Sequence, residues 1–357
     1  MRSFTLLRIF ALTAMLETAV QSGEVEEEAP RNEKDAKETP NENIGVVLDD
    51  FQLTRRMFNK EKDYFKGELG ARFLKFCQST ERSSNRKARP SIDPVETIKY
   101  KAEEQSAHIF IPAAYDGSAG WGLYLHIGNE AKASMPKGWD KVCAERKLLF
   151  ASPHKAPDLM PDVYRVALAL DTLATILAEQ KIDKKRIYIG GTRTGAACAV
   201  IAALVYSELF RGVFCQKYGF LLQRTPYGPT AMGRNTKASN TEEKMMQEYV
   251  WEPEAPYMQS ADWKNLKVRF FFYINGRQAM RDFDFERMFR SIPWWDRIGV
   301  MYCVLDRADS DLPVASADDF ALAIDWLDGK EVEDLPQPRY YLFDIAIRSK
   351  GEKAKKR

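Results

Sequence analysis

The stretch Gly191-Thr192-Arg193-Thr194-Gly195 sets two glycines four residues apart around a polar apex, between the apolar run Ile187-Tyr-Ile189 and the small-residue run Ala196-Ala-Cys-Ala199. This order reads as a short strand, a tight turn and the opening of a helix. Glycine is needed where the chain turns back so closely that a Cβ would clash. The apex of such a turn stands at a helix N-terminus, where free backbone N–H groups and the helix dipole favour negative charge. A serine at this place would be a nucleophile, but the apex here is Arg193, whose guanidinium stays protonated and only donates hydrogen bonds. Two roles are open to it. With Thr192 and Thr194 beside it, Arg193 makes a site for a carboxylate or phosphate; or it pairs internally with an acid such as Asp309 or Asp311.

The chain has three histidines, His108, His126 and His154, and all of them precede the apex. His126 closes an apolar strand in the form His126-Ile127-Gly128, and a histidine satisfied at a strand end is as good a reading as a binding residue. His154 follows Lys147-Leu-Leu-Phe-Ala151, near the mouth of the cleft that opens at the carboxyl ends of parallel strands. No His or Cys cluster has ligand spacing, so neither zinc nor any other cofactor is expected. Of the five cysteines, Cys198, Cys215 and Cys303 lie in apolar runs and read as core thiols. A Cys77–Cys143 bridge is open if the chain is exported.

The elements that must position the apex follow from periodicity. Ala107–Ile111, Gly122–Ile127 and Lys147–Ala151 read as strands. Val163, Val166, Leu170, Leu173 and Leu177 recur every three or four residues and predict a helix from about Pro161 to Gln180. After the apex come Gly212–Cys215, Val268–Ile274 and Ile298–Leu305 as further strands, and Phe320, Ile324 and Leu327 mark a last amphipathic helix. Strands alternating with helices imply an α/β fold, a mostly parallel sheet covered on both faces.

With 357 residues, 45% of them apolar, the chain can bury a large core. A net charge of +2 without a basic stripe or motif gives no reason to expect a nucleic-acid partner. Residues 1–22 combine Arg2 and Arg8 with an apolar run and small residues near Ser22, the pattern of a secretory signal peptide; a short membrane anchor is the other reading. With the signal removed no membrane span is expected, and the product would be secreted or periplasmic. Residues 23–43, with eight acidic and three basic residues from Glu24 to Asn43, read as an acidic tether. Residues 44–105 form an accessory segment with a helix near Glu68 to Cys77. The domain proper runs over 106–330 and carries an irregular, aromatic insert at 217–265; 331–357 is an extension with a basic tail.

Several pieces resemble the α/β-hydrolase superfamily, and within it secreted esterases of the polyhydroxyalkanoate-depolymerase and feruloyl-esterase type. They are Tyr124-Leu-His-Ile-Gly128, Ile182-Asp-Lys-Lys-Arg-Ile-Tyr-Ile-Gly-Gly191, Leu209-Phe-Arg-Gly-Val213, and Leu312-Pro313 followed by Phe320-Ala-Leu-Ala-Ile-Asp-Trp-Leu327. The resemblance implies the α/β-hydrolase fold and a lid at 217–265, whose aromatics either stack on a ligand or pack on their own domain. It also implies a serine at the apex, then an acid, then a histidine, in that chain order. The matching positions here are Arg193, Ala279 and Ser310. Asp282 and Asp284 reach the acid position only through a rearranged loop, and Ile127 replaces glycine in the His-Gly form of the oxyanion loop. The expectation is an exported pseudo-hydrolase that binds an anionic small molecule, a glycan or a protein in the vestigial cleft. The alternatives are an active carboxylic-ester hydrolase using a threonine beside Arg193 with a non-histidine base, and a structural domain without a ligand.

Overall fold

Strands buried on both faces carry near-continuous apolar runs, and Leu-Leu-Phe-Ala, Val-Phe-Cys and Phe-Phe-Phe-Tyr-Ile are runs of this kind. The computed structural model describes residues 44–65, five positions between 67 and 74, and residues 93–158, 160–217, 267–275, 301–307 and 312–332. Eight strands form one sheet: β1 (Gly45–Gln52), β2 (Ser106–Pro112), β3 (Gly122–Ile127), β4 (Leu148–Pro153), β5 (Ile187–Thr192), β6 (Gly212–Gln216), β7 (Arg269–Asn275) and β8 (Met301–Arg307). Their order is β1-β2-β4-β3-β5-β6-β7-β8. β2 is antiparallel to both of its neighbours, and every pair from β4 to β8 is parallel. With helices on both faces, this strand order is the α/β-hydrolase fold.

The period of two along each strand divides the core into two halves. Leu123, Leu125 and Ile127 of β3, with Ile187, Ile189, Val213 and Cys215, pack under helices α2 (Asp162–Glu179) and α3 (Thr194–Val205). Tyr124, Phe150, Tyr188, Phe214 and Tyr273 point the other way, toward α1 (Trp139–Glu145) and α4 (Ala317–Asp328). Trp139 and Phe320 stack at 3.8 Å between ring centroids and join those two helices. Ser316 caps α4 by accepting from the Asp319 amide at 3.1 Å, and Gly329 ends it at φ 92°, where a Cβ would be strained.

The described residues of 44–105 supply the sheet's edge strand, β1, and cover part of the outer face of α2. One apolar face was expected for that helix; it is buried nearly all round, including Arg165, Asp171, Thr172 and Thr175. Asp171 and Thr175 are met by that segment, whereas Thr172 Oγ1 donates to the Leu168 carbonyl of its own helix at 2.9 Å. Asp171 accepts from Tyr100 Oη at 2.7 Å, the Met57 amide at 2.8 Å, Arg56 Nε at 3.3 Å and the Tyr64 hydroxyl. Burial raises its pKa against the pull of those donors. Thr175 Oγ1 accepts from the Thr54 and Arg55 amides at 3.3 and 3.2 Å. Most of the helix expected near Glu68 to Cys77 lies outside the described residues, although Phe73 is buried against Phe65 at 5.7 Å.

On the α1–α4 side the core contains an unusual polar strip. His108 Nε2, Ser152 Oγ, His126 Nδ1, Tyr124 Oη, Thr192 Oγ1 and Gln216 Nε2 are buried without a hydrogen-bond partner among the described residues. None of these residues is more exposed than Thr192, at 7%. One such group left unpaired costs about 1–3 kcal/mol. Six together would match the roughly 5–15 kcal/mol that holds a whole domain folded.

Candidate functional site

β5 runs into α3 through Arg193, the helix N-cap, at φ 53° and ψ −119°. Non-glycine residues rarely adopt this region, and it persists only where the surroundings impose it. Here they do. The Arg193 amide donates to the Gln216 carbonyl at 2.9 Å, and its carbonyl accepts the first helical bond from Ala197 at 3.2 Å. A Cβ on Gly191 would stand 2.5 Å from the Gly195 carbonyl carbon, and one on Gly195 would overlap the Ile127 carbonyl oxygen. The two glycines that mark the turn in sequence are thus both required by backbone contact. The turn expected at 191–195 has the geometry of a nucleophile elbow.

Arg193 is exposed, and its guanidinium takes no partner among the described residues. Asp309 and Asp311, the acids considered as internal partners, lie outside the described residues, as do Ala279, Asp282, Asp284 and Ser310. Thr192 and Thr194 differ sharply. The Thr192 hydroxyl is buried in the polar strip on the α1–α4 side. Thr194 is exposed and faces α2, where its hydroxyl donates to Asp158 Oδ1 and accepts from Arg165 Nη1 at 2.8 Å.

Arg165 is the residue that sequence reasoning missed. It is fully buried beneath the elbow, and besides Thr194 it donates to the Gly128 carbonyl at 2.7 Å and to Asn129 Oδ1 at 3.3 Å, with Asp158 at 3.7 Å. Asn129 Oδ1 in turn caps α3, accepting from the Gly195 amide at 3.2 Å. One guanidinium therefore ties α2, the loop after β3 and the elbow together. The signal was present in sequence, a charge set inside the apolar stripe between Val163 and Val166. Burial raises the pKa of Asp162, the neighbouring acid on α2, which accepts from Cys198 Sγ at 3.5 Å.

The structure does not bring His126 or His154 to Arg193. His126 is the penultimate residue of β3 and points to the α1–α4 side, stacked on Phe150 and edge-on to Trp139. Burial lowers its pKa to about 4. His154 is buried after β4; its Nδ1 accepts from the Ala133 amide at 2.9 Å and its Nε2–H donates to the Asp49 carbonyl. Its two ring nitrogens are thereby occupied in holding the loop after β3 and the edge strand. Asp49 also takes His108, Nδ1 to Oδ1 at 2.7 Å, which lowers the Asp49 pKa. Cys143 is a buried thiol in α1, and Cys77 lies outside the described residues. So do residues 1–43, where a signal peptide and tether were expected, and nearly all of 217–265 and 331–357. No helix among the described residues is long and apolar enough to cross a membrane.

No family model matches the chain, and no curated protein matches it in sequence. Solved structures similar to it include a ferulic acid esterase, 13% identical at a TM-score of 0.42 over 62% of this chain and 91% of that one. An S-formylglutathione hydrolase from Staphylococcus aureus has the same identity and TM-score over 62% and 90%. Esterase Est22 is 17% identical, at 0.42 over 76% and 91%. The fold assignment stands on strand order and on the elbow, to which likenesses this distant add no weight.

Proposed function

We propose that this chain is an exported α/β-hydrolase-fold protein in which the elbow binds an anion and does not carry out serine-dependent acyl transfer. One observation carries the reading: the elbow backbone is kept in its strained form while its apex presents an exposed guanidinium that no described side chain neutralises. A planar guanidinium at a helix N-terminus suits a carboxylate, a phosphate or the uronate of a glycan, held by paired N–H donors. Strain retained without a nucleophile implies that the apex side chain still has work at that position. The test is thermal shift against acetate, benzoate, glucuronate and inorganic phosphate. Wild-type protein is expected to gain stability with at least one of them, and Arg193→Ser to lose that gain. A gain that survives the substitution overturns the reading.

A second reading rests on Thr194, whose hydroxyl donates directly to the Asp158 carboxylate. That pairing is what an active carboxylic-ester hydrolase with a non-histidine base would need. Turnover of a short-chain p-nitrophenyl ester that Thr194→Val abolishes, with fluorophosphonate labelling at Thr194, would favour it over the binding reading.

A further inference from the structure

The polar strip under α1 and α4 sets polar side chains side by side on five strands, yet its six polar atoms bond neither one another nor any other described residue. His108 on β2 lies opposite Ser152 on β4. His126 on β3 falls beside Ser152, one step beyond the Leu125–Ala151 pair, and opposite Gly190 on β5. Thr192 lies opposite Gln216. All these side chains share one face, so neighbours stand about 4.8 Å apart, the distance between strands. Side chains at that spacing can meet directly across strands, but these do not; two bonds of about 2.8 Å meeting at a tetrahedral oxygen span about 4.6 Å and would join such neighbours through a water. The one wider step, from His126 to Thr192, crosses Gly190. There the missing side chain leaves room for the Tyr124 hydroxyl, which a Cβ on Gly190 would strike.

The order of donors and acceptors is also fixed at both ends. His108 Nδ1 pairs with Asp49 Oδ1; with the proton on Nδ1 of a neutral ring, His108 Nε2 faces the strip as a lone pair. Gln216 Oε1 accepts from the Ala315 amide at 2.8 Å, so Gln216 Nε2 faces the strip as a donor. Between them stand the hydroxyls of Ser152, Tyr124 and Thr192, which do either, and His126 Nδ1, whose role follows its tautomer. A cation would meet the amide donor and an anion the imidazole lone pair; a small neutral molecule with both functions satisfies every position.

We infer that the strip from His108 to Gln216 binds a file of ordered water molecules that runs from the sheet edge at Asp49 to the underside of the elbow at Thr192. This hydration balances a desolvation penalty that would otherwise be on the scale of folding itself. It also sets water directly behind the backbone that holds Arg193, since Gln216 carries the file's end on its side chain and the Arg193 amide on its carbonyl.

Oxygen-17 magnetic relaxation dispersion, which counts long-lived internal waters, tests the inference on the full-length protein. Wild type is expected to hold several, and the Ser152→Ala/Thr192→Val double variant fewer. Thr192→Val alone is expected to lower Tm by about 2–4 °C, because it removes a water's partner. Were the strip dry, the same substitution would remove an unpaired hydroxyl and raise Tm. No long-lived water in the wild-type protein, or a raised Tm in Thr192→Val, overturns the inference. Should the double variant not fold, a high-resolution crystal structure of the wild type decides the matter. Density bridging His108 Nε2 and Ser152 Oγ supports the file, and direct side-chain pairing across that gap refutes it.

Discussion

Arg165 Nη1 donates to Thr194 Oγ1 at 2.8 Å, so a fully buried cation on α2 holds the residue that follows the elbow's apex. Its other Nη reaches the Gly128 carbonyl and Asn129. The elbow therefore rests on an internal charge with Asp158 and Asp162 nearby. This explains how a strained turn stays in place.

Arg165→Met keeps the bulk and removes the charge. Asp158 and Thr194 stay in contact with water, so the loss falls chiefly on the part-buried Gly128 carbonyl and Asn129, about 1–3 kcal/mol. Arg165→Lys restores the charge without the planar fork and is expected to recover only part of it. Urea unfolding measures both. A loss within about 0.5 kcal/mol, as for an ordinary surface substitution, would show that the network carries no load.

Two glycines, Gly195 at the start of α3 and Gly128 after β3, give a contrast. A methyl on Gly195 meets the Ile127 backbone, which cannot rotate away, and Gly195→Ala is expected to destabilise by about 1–3 kcal/mol or more. At Gly128 the nearest atom to an added Cβ is the Glu130 amide at 4.0 Å. Gly128→Ala is therefore expected to be neutral or stabilising by up to about 1 kcal/mol, through the unfolded chain. Thermal unfolding of the pair checks this; equal losses would mean that the turn is less tightly packed than its contacts indicate.

These particulars also show what the sequence could reveal. The apolar runs of β4, β6 and β7 and the Gly191/Gly195 pair are local signals, and each corresponds to an element where it was expected. The periodicity of α2 was legible too, but not its second buried face. That face is covered by Arg56, Tyr64 and Tyr100, which lie 71 or more residues away along the chain, and no window of periodicity contains them. Arg165 and Asp49 were missed for the same reason. Each is a single charged residue whose partners come from distant segments, and only the closed sheet brings them together.

Asp171 makes the cover on α2 testable. Replacing it with alanine strands two tyrosine hydroxyls, the Met57 amide and Arg56 at once. Segment 53–104 is expected to detach before the sheet unfolds. Hydrogen exchange should quicken in Met57 and in the Ile98–Tyr100 stretch while β5 and β6 stay protected. Uniform acceleration across the chain would mean that the segment is part of the global unfolding unit.

His126 supplies a dependence on pH. In the fold burial holds its pKa near 4, against 6.5 for the free side chain. Between those values the unfolded chain binds a proton that the folded chain refuses, so stability is full above about pH 6.5 and falls as pH drops toward 4. A difference of this size amounts to about 3 kcal/mol at most. The carboxylate of Asp49, whose folded pKa lies below its usual value, adds its own loss at lower pH, from the range in which unfolded aspartate titrates down to its folded value. The two are separable. Urea midpoints recorded from pH 7.5 to 4.5 should decline in the wild-type protein, and His126→Gln, which cannot titrate, should flatten that slope whatever it does to the absolute stability. An unchanged slope would place His126 in contact with solvent and remove it from the buried strip.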